Sequence, residues 1–161
     1  MAELREMSDF VIDTTELNIH QLATKVQEQF AEDGEVATKV TIMSFGFKYG
    51  LPPDADMVAD CRFLPNPFWI PELSGHTGLE DEVKDYVLGQ PGAEEFISSY
   101  VQTLTPVLAG YRRENKRHAT IALGCTGGKH RSVAIAEELG RRLATLPGIA
   151  VSVKHRDLGR E

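Results

Sequence analysis

Ala119-Thr120-Ile121-Ala122-Leu123-Gly124-Cys125-Thr126-Gly127-Gly128-Lys129-His130-Arg131-Ser132 carries three signals in succession. The apolar start, bounded by glycine, reads as a buried strand. Gly127-Gly128 interrupts it, and from Ser132 to about Leu146 apolar residues recur at helical spacing. Strand, glycine loop and helix together form the repeating unit of a parallel sheet, since a parallel return needs a crossover.

Working outward, Val40-Thr41-Ile42-Met43-Ser44-Phe45, stopped by Gly46, predicts a second buried strand, Met57 to Phe63 a third, and Ile149 to Val153 the last. Leu79 to Leu88 and Ala93 to about Asn115 read as amphipathic helices, the longer one carrying Phe96, Tyr100, Leu104, Leu108 and Tyr111, with Pro106 placed to kink it. Between them Leu64 to Pro71 holds three prolines and is expected to be irregular, the kind of aromatic loop that carries function. The expected fold class is α/β, a three-layer domain around a mainly parallel central sheet containing 40–45, 57–62, 119–124 and 149–153, with right-handed crossovers. Ahead of it, Phe10-Val11-Ile12 predicts a strand and the spacing from Leu17 a helix, so that residues 1–36 stand apart from 37–161.

The chain has 161 residues, 42% hydrophobic and 25% charged, enough for one ordinary globular domain and a short addition. Disorder and low-complexity classes are excluded. With no apolar run near the ~20 residues of a membrane span and no signal-peptide layout, a cytoplasmic location without membrane association is expected. Cys61 and Cys125 are read as thiols. Isolated His20, His76 and His118 lack metal-ligand spacing, so no metal site is expected. The net charge of −7 is unevenly spread: residues 1–109 hold 6 Lys and Arg against 19 Asp and Glu, and residues 110–161 hold 11 against 5. If RNA binds, the contacts are expected from this basic third, through Arg112, Arg113, Lys116, Arg117, Lys154, Arg156 and Arg160 on one face.

The glycine loop is built for an anion. Backbone N–H groups of Thr126, Gly127, Gly128 and Lys129 can approach a ligand, the start of the following helix adds about half a positive charge, and Lys129 and Arg131 add full charges. His130 and Arg131 are cations at the positive end of a helix, a conflict that an anion resolves. The spacing is not that of a P-loop, so no nucleoside triphosphate hydrolysis is expected. Cys125, five residues, Arg131 and Ser132 do match the C-x5-R-[ST] spacing of cysteine-dependent phosphatases, in which a thiolate attacks phosphorus. Gly124 stands where those enzymes place a histidine, and only Asp54, Asp56 and Asp60 are candidates for the acid. A non-catalytic phosphate site is the leading reading, with no catalytic residues, and the phosphatase is the alternative.

The run from Gly124 to Val133 resembles the signature of the RNase adapter protein RapZ family, also called the RapZ/YvcJ nucleotide-binding proteins. Ser44 to Gly50, Asp54-Ala55-Asp56 and Asp60 to Pro67 resemble its other motifs in the same order, and Asp9 to Thr14 with Asn18 to Leu22 resembles the end of its N-terminal NTPase domain. The resemblance implies that 1–36 is the tail of a P-loop domain that binds ATP or GTP in bacterial members, and that 37–161 is the C-terminal α/β domain. It further implies a regulatory domain, not itself an enzyme and needing no cofactor, that binds glucosamine-6-phosphate and presents a small RNA to an endoribonuclease, in a homo-oligomer. Carried over by residue, the pocket is Asp60, Arg62 and Asn66 with Cys125, Thr126, Gly127, Gly128, Lys129, His130 and Arg131. Phe68 stands where some members place a pocket histidine, and only Lys154, His155, Arg156 and Arg160 stand where members carry a strongly basic tail.

Overall fold

Four β-branched and apolar runs pair side by side because each alone would leave its backbone N–H and C=O groups unsatisfied. In the computed structural model, which describes residues 38–160 and, before them, 12, 14, 15, 17–19, 21, 22 and 26, these runs are β1 (Thr38–Gly46), β2 (Met57–Asp60), β3 (His118–Cys125) and β4 (Ile149–His155). They form one sheet in the order β2-β3-β1-β4, with every pairing parallel. The helices are α1 (Pro71–Ser74), α2 (Asp81–Leu88), α3 (Ala93–Arg113) and α4 (Arg131–Leu143). The class is the expected α/β one, an all-parallel sheet with helices, consistent with a three-layer domain.

Register decides which residues are core. Val40 lies beside Ala119 and Val151, and Ile42 beside Ile121 and Val153. That face packs against Ile135, Leu139 and Leu143 of α4, behind which Val83 and Val87 of α2 and Ile97, Leu104 and Leu108 of α3 are also buried. Along the opposite face Lys39, Val58, His118, Ala150, Ser152 and Lys154 are exposed. Only its C-terminal end is closed, where Phe45 is fully buried and its ring meets Phe47 at 4.8 Å.

Three elements differ from the sequence reading. β2 ends at Asp60 instead of running to Phe63, because Asp60 Oδ1 accepts the Arg62 N–H at 2.8 Å and turns the chain. The proline loop contains two short helical turns, a 3-10 turn at Pro67–Trp69 and α1, each with proline at a first-turn position where its missing N–H costs nothing. α3 runs unbroken through Pro106, which is exposed, so water reaches the carbonyl that proline leaves unpaired.

The chain divides into two compact units, Met1–Val36 and Ala37–Glu161. In the first, Asn18 and Gln21 form a reciprocal capping box, each side chain accepting the other's N–H at 2.9 Å, with Ile19, Gln21, Leu22 and Val26 helical. The strand expected at 10–12 falls, apart from Ile12, outside the described residues. No helix among the described residues is long and apolar enough to cross a membrane.

Leu139 is fully buried between α4 and the sheet. Leu139→Ala is expected to lower unfolding free energy by about 2–5 kcal/mol, measured by urea denaturation, with the site's ligand affinity per folded molecule retained.

Candidate functional site

In parallel sheets, ligand sites sit beyond the carboxyl ends of the strands, because loops converge there and helices begin there. The loops after β1 and after β3, each beginning with glycines close to the strand end, emerge there. They touch backbone to backbone. A Cβ at Gly46 would stand 2.6 Å from the Gly127 carbonyl carbon, and one at Gly128, whose φ is +74°, 2.6 Å from the Gly46 nitrogen. Only glycine fits at either position. The Lys48 N–H donates to the Thr126 carbonyl at 3.2 Å, tying the two loops again.

Beneath this junction Asp157 is wholly buried. Its carboxylate accepts the Gly46 N–H at 2.8 Å, Arg156 Nη2 at 2.7 Å and Arg160 Nη1 at 2.9 Å. Burial alone would raise its pKa, but the hydrogen bonds from Arg156, the Gly46 N–H and Arg160 outweigh it and hold the group below the usual value. The anion loop therefore rests on a charged clamp from the chain's last turn.

On the loop itself, the Gly128 N–H donates to Cys125 Sγ at 3.3 Å, and Ser132 Oγ lies 3.1 Å from the same sulfur. Lys129 Nζ donates to the Ser74 carbonyl at 3.2 Å, and the Gly78 N–H donates to the Lys129 carbonyl at 2.9 Å, so the segment after α1 flanks the loop. Arg131, 4% exposed, reaches from the first position of α4 to the proline loop. Its Nη1 donates to the carbonyls of Arg62 at 3.2 Å and Leu64 at 3.0 Å, and its Nη2 to Thr126 Oγ1 at 3.3 Å. In this loop the buried Arg131 Nε and His130 Nε2 have no hydrogen-bond partner. Burial, with the charge of Lys129, holds His130 below its ordinary pKa.

These residues line a cleft of about 550 Å³ together with Lys48, Asn66, Phe68 and Trp69. Of the residues expected from sequence, Asn66, Cys125, Thr126, Gly127, Lys129, His130 and Arg131 meet there, and Gly128 shapes the loop from beneath. Asp60 and Arg62 are not on the cleft lining. They pair with each other, Arg62 Nη2 donating to Asp60 Oδ2 at 2.7 Å, and the Arg62 guanidinium stacks 4.0 Å over Phe47. Phe68 stands on the cleft, at the position where the resemblance places a pocket residue, whereas Lys48 and Trp69 were legible as loop residues but not as cleft walls. Asp157 went unread, although it is the one carboxylate among Lys154, Arg156 and Arg160.

The basic third does not gather on one face. Arg112, Arg113, Lys116 and Arg117 stand where β3 begins, whereas Arg156 and Arg160 follow the end of parallel β4, at the opposite end of the sheet. Arg112 donates to the Gly148 carbonyl at 2.9 Å, Lys116 pairs with Asp56 at 2.7 Å, and Arg156 and Arg160 serve Asp157. Lys154 is exposed on the open sheet face. Both cysteines are buried free thiols. Among the described residues one group has a cation-ligand set, His76, Glu80 and Glu82 with ligand atoms within 4.8 Å of one another, but Glu80 is already committed to His76 Nδ1 and the Thr77 N–H.

Residues 38–159 match the family model for the RapZ C-terminal domain. The chain is 70% identical to a nucleotide-binding protein of Clavibacter michiganensis subsp. michiganensis, 67% to one of Leifsonia xyli subsp. xyli and 60% to one of Saccharopolyspora erythraea. Each match covers all of this chain and 55% of the relative, so the chain spans about half the length of the curated relatives it matches.

A carboxylate held below its usual pKa stabilises the fold above the ordinary carboxylate range, and that stability is lost as pH falls through its folded value. Denaturant unfolding at stepped pH is therefore expected to show wild-type stability declining on acidification. Asp157→Asn should be less stable at neutral pH by about 1–3 kcal/mol and decline less steeply. Equal acid slopes for the two proteins would remove Asp157 from its place as the clamp.

Proposed function

The chain belongs to the RapZ C-terminal domain family, and on that footing we propose that it is a regulatory domain whose loop 125–131 binds the phosphate of a small phosphorylated metabolite. One observation carries this reading. Arg131 Nε and His130 Nε2 are buried donors or acceptors without partners, beside Lys129 at the start of α4. An unsatisfied buried polar group costs ~1–3 kcal/mol, and a phosphate bound at the loop would offset the local positive charge. Glucosamine-6-phosphate is the metabolite that the family resemblance offers. The resemblance also supplies the wider setting: a cytoplasmic homo-oligomer, a P-loop domain holding ATP or GTP in the longer protein, and a small RNA presented to an endoribonuclease. RNA contacts would have to come from two separated basic clusters, most of whose members already have partners in the fold.

A second reading has its own observation. The Gly128 N–H and the Ser132 hydroxyl both lie within reach of Cys125 Sγ, which lines the cleft together with Arg131. Phosphoryl transfer also needs an acid for the leaving group, and among the described residues no carboxylate lines the cleft. Asp60 is tied to Arg62 and Asp56 to Lys116. Binding without turnover is therefore the reading we adopt.

Calorimetry with inorganic phosphate and glucosamine-6-phosphate is expected to show saturable binding that Arg131→Ala weakens about 10–100-fold, the scale of one lost charge-assisted hydrogen-bond pair. An aryl phosphate assay should show no hydrolysis above buffer. Turnover that vanishes in Cys125→Ser would put the phosphatase reading first.

A further inference from the structure

A second cavity, of about 370 Å³, lies at the end of the sheet away from the anion loop, where β1 and β4 start side by side with Thr38 beside Ile149. That volume is in the range of small-molecule pockets. Its floor is apolar: Leu108 comes from α3, and Leu146 and Ile149 from the two sides of the turn that joins α4 to β4. Arg112 and Arg113, in the last turn of α3, also line it, and among the described residues no carboxylate does. Cations at a helix C-terminus are favourable without any ligand, so the two arginines by themselves mark nothing.

The hydroxyl between them is harder to account for. Thr38 lines the same cavity, is 1% exposed, and its Oγ1 has no hydrogen-bond partner. A buried hydroxyl left so is a cost to the fold that a bound polar group removes. The cavity's other hydroxyl, on Thr105, already donates to the Val101 carbonyl at 2.8 Å. Gly148 brings Thr38 and Arg112 together, its carbonyl accepting the Thr38 N–H and Arg112 Nη2, both at 2.9 Å. A Cβ at Gly148, whose φ is +71°, would collide with the Arg112 guanidinium, which therefore lies against bare backbone. A guanidinium keeps further donors after one such bond. The cation is thus positioned beside the unpartnered hydroxyl before any ligand arrives.

We infer that this cavity binds a short aliphatic carboxylic acid, with its carboxylate on Arg112, Arg113 and Thr38 Oγ1 and its hydrocarbon chain on Leu108, Leu146 and Ile149. Guanidinium forks match the planar carboxylate, and the hydroxyl donates to the same group. Methylenes cover the apolar floor, which a bare inorganic anion would leave in water. The inference is independent of the phosphate reading of loop 125–131, which lies at the other end of the sheet.

Saturation-transfer NMR on the 161-residue protein, with hexanoate as the probe, tests this. Binding is expected to saturate, at least about 10-fold tighter than acetate, which lacks the chain, and than hexanamide, which lacks the charge. Inorganic phosphate at equal concentration should leave hexanoate bound. Thr38→Val and Arg113→Gln should each weaken hexanoate by about 10-fold, the scale of one hydrogen bond to a charged group. Thr38→Val separates a ligand contact from a structural role. Because the hydroxyl it removes has no partner in the fold, urea denaturation of the ligand-free variant should show stability equal to or above the wild type. Arg113 is exposed, so its variant keeps the fold, which circular dichroism checks. Hexanoate binding no tighter than acetate or hexanamide, affinity unchanged in either variant, or displacement by inorganic phosphate would each overturn the inference.

Discussion

One buried carboxylate sets the geometry on which the site depends. Asp157 accepts the Gly46 N–H from the end of β1 while two arginines of the last turn neutralise it. Burying a charge is tolerated only when it is paired and hydrogen-bonded, and here both conditions are met. Because Gly46 lies against Gly127 and Gly128, fixing the one backbone fixes the other. The loop after β3 therefore has a floor built by residues that follow β4.

From that floor the remaining geometry follows in steps. The Gly128 N–H is turned toward Cys125 Sγ, and the chain enters α4 with Lys129, His130 and Arg131 at the helix start. Positive charge at that place is unfavourable by itself. Arg131 offsets part of the cost by donating to the carbonyls of Arg62 and Leu64, which anchors the proline loop, and the proline loop in turn presents Phe68 and Trp69. These bonds leave Arg131 Nε and His130 Nε2 without hydrogen-bond partners.

Much of this was legible in the sequence where it depended on local pattern. The glycine loop between an apolar run and a helical period predicts the parallel sheet that is found, and the residues that line the cleft are clustered there, since backbone conformation and side-chain charge are both written locally. Long-range partners were not legible. Asp60 and Arg62, two residues apart, are by contrast a local pair, which the sequence offers as readily as ligand contact at Arg62. The basic excess after residue 110 is real as composition, yet parallel topology sends its two halves to opposite ends of the sheet. Arg156 and Arg160 looked like surface cations because their partner, Asp157, is a neighbour that only burial makes important.

The central claim is that the anion loop is pre-formed by the Asp157 and glycine junction. Native-state amide hydrogen exchange on the ligand-free protein tests it most directly, read at the Gly46 and Gly128 amides. Both donate inside the fold, to Asp157 Oδ2 and Cys125 Sγ. The account predicts that both exchange as slowly as the amides of β1 and β3, with or without inorganic phosphate. Exchange as fast as in an exposed loop, slowed only when phosphate is added, would mean that the ligand builds the loop and would contradict it.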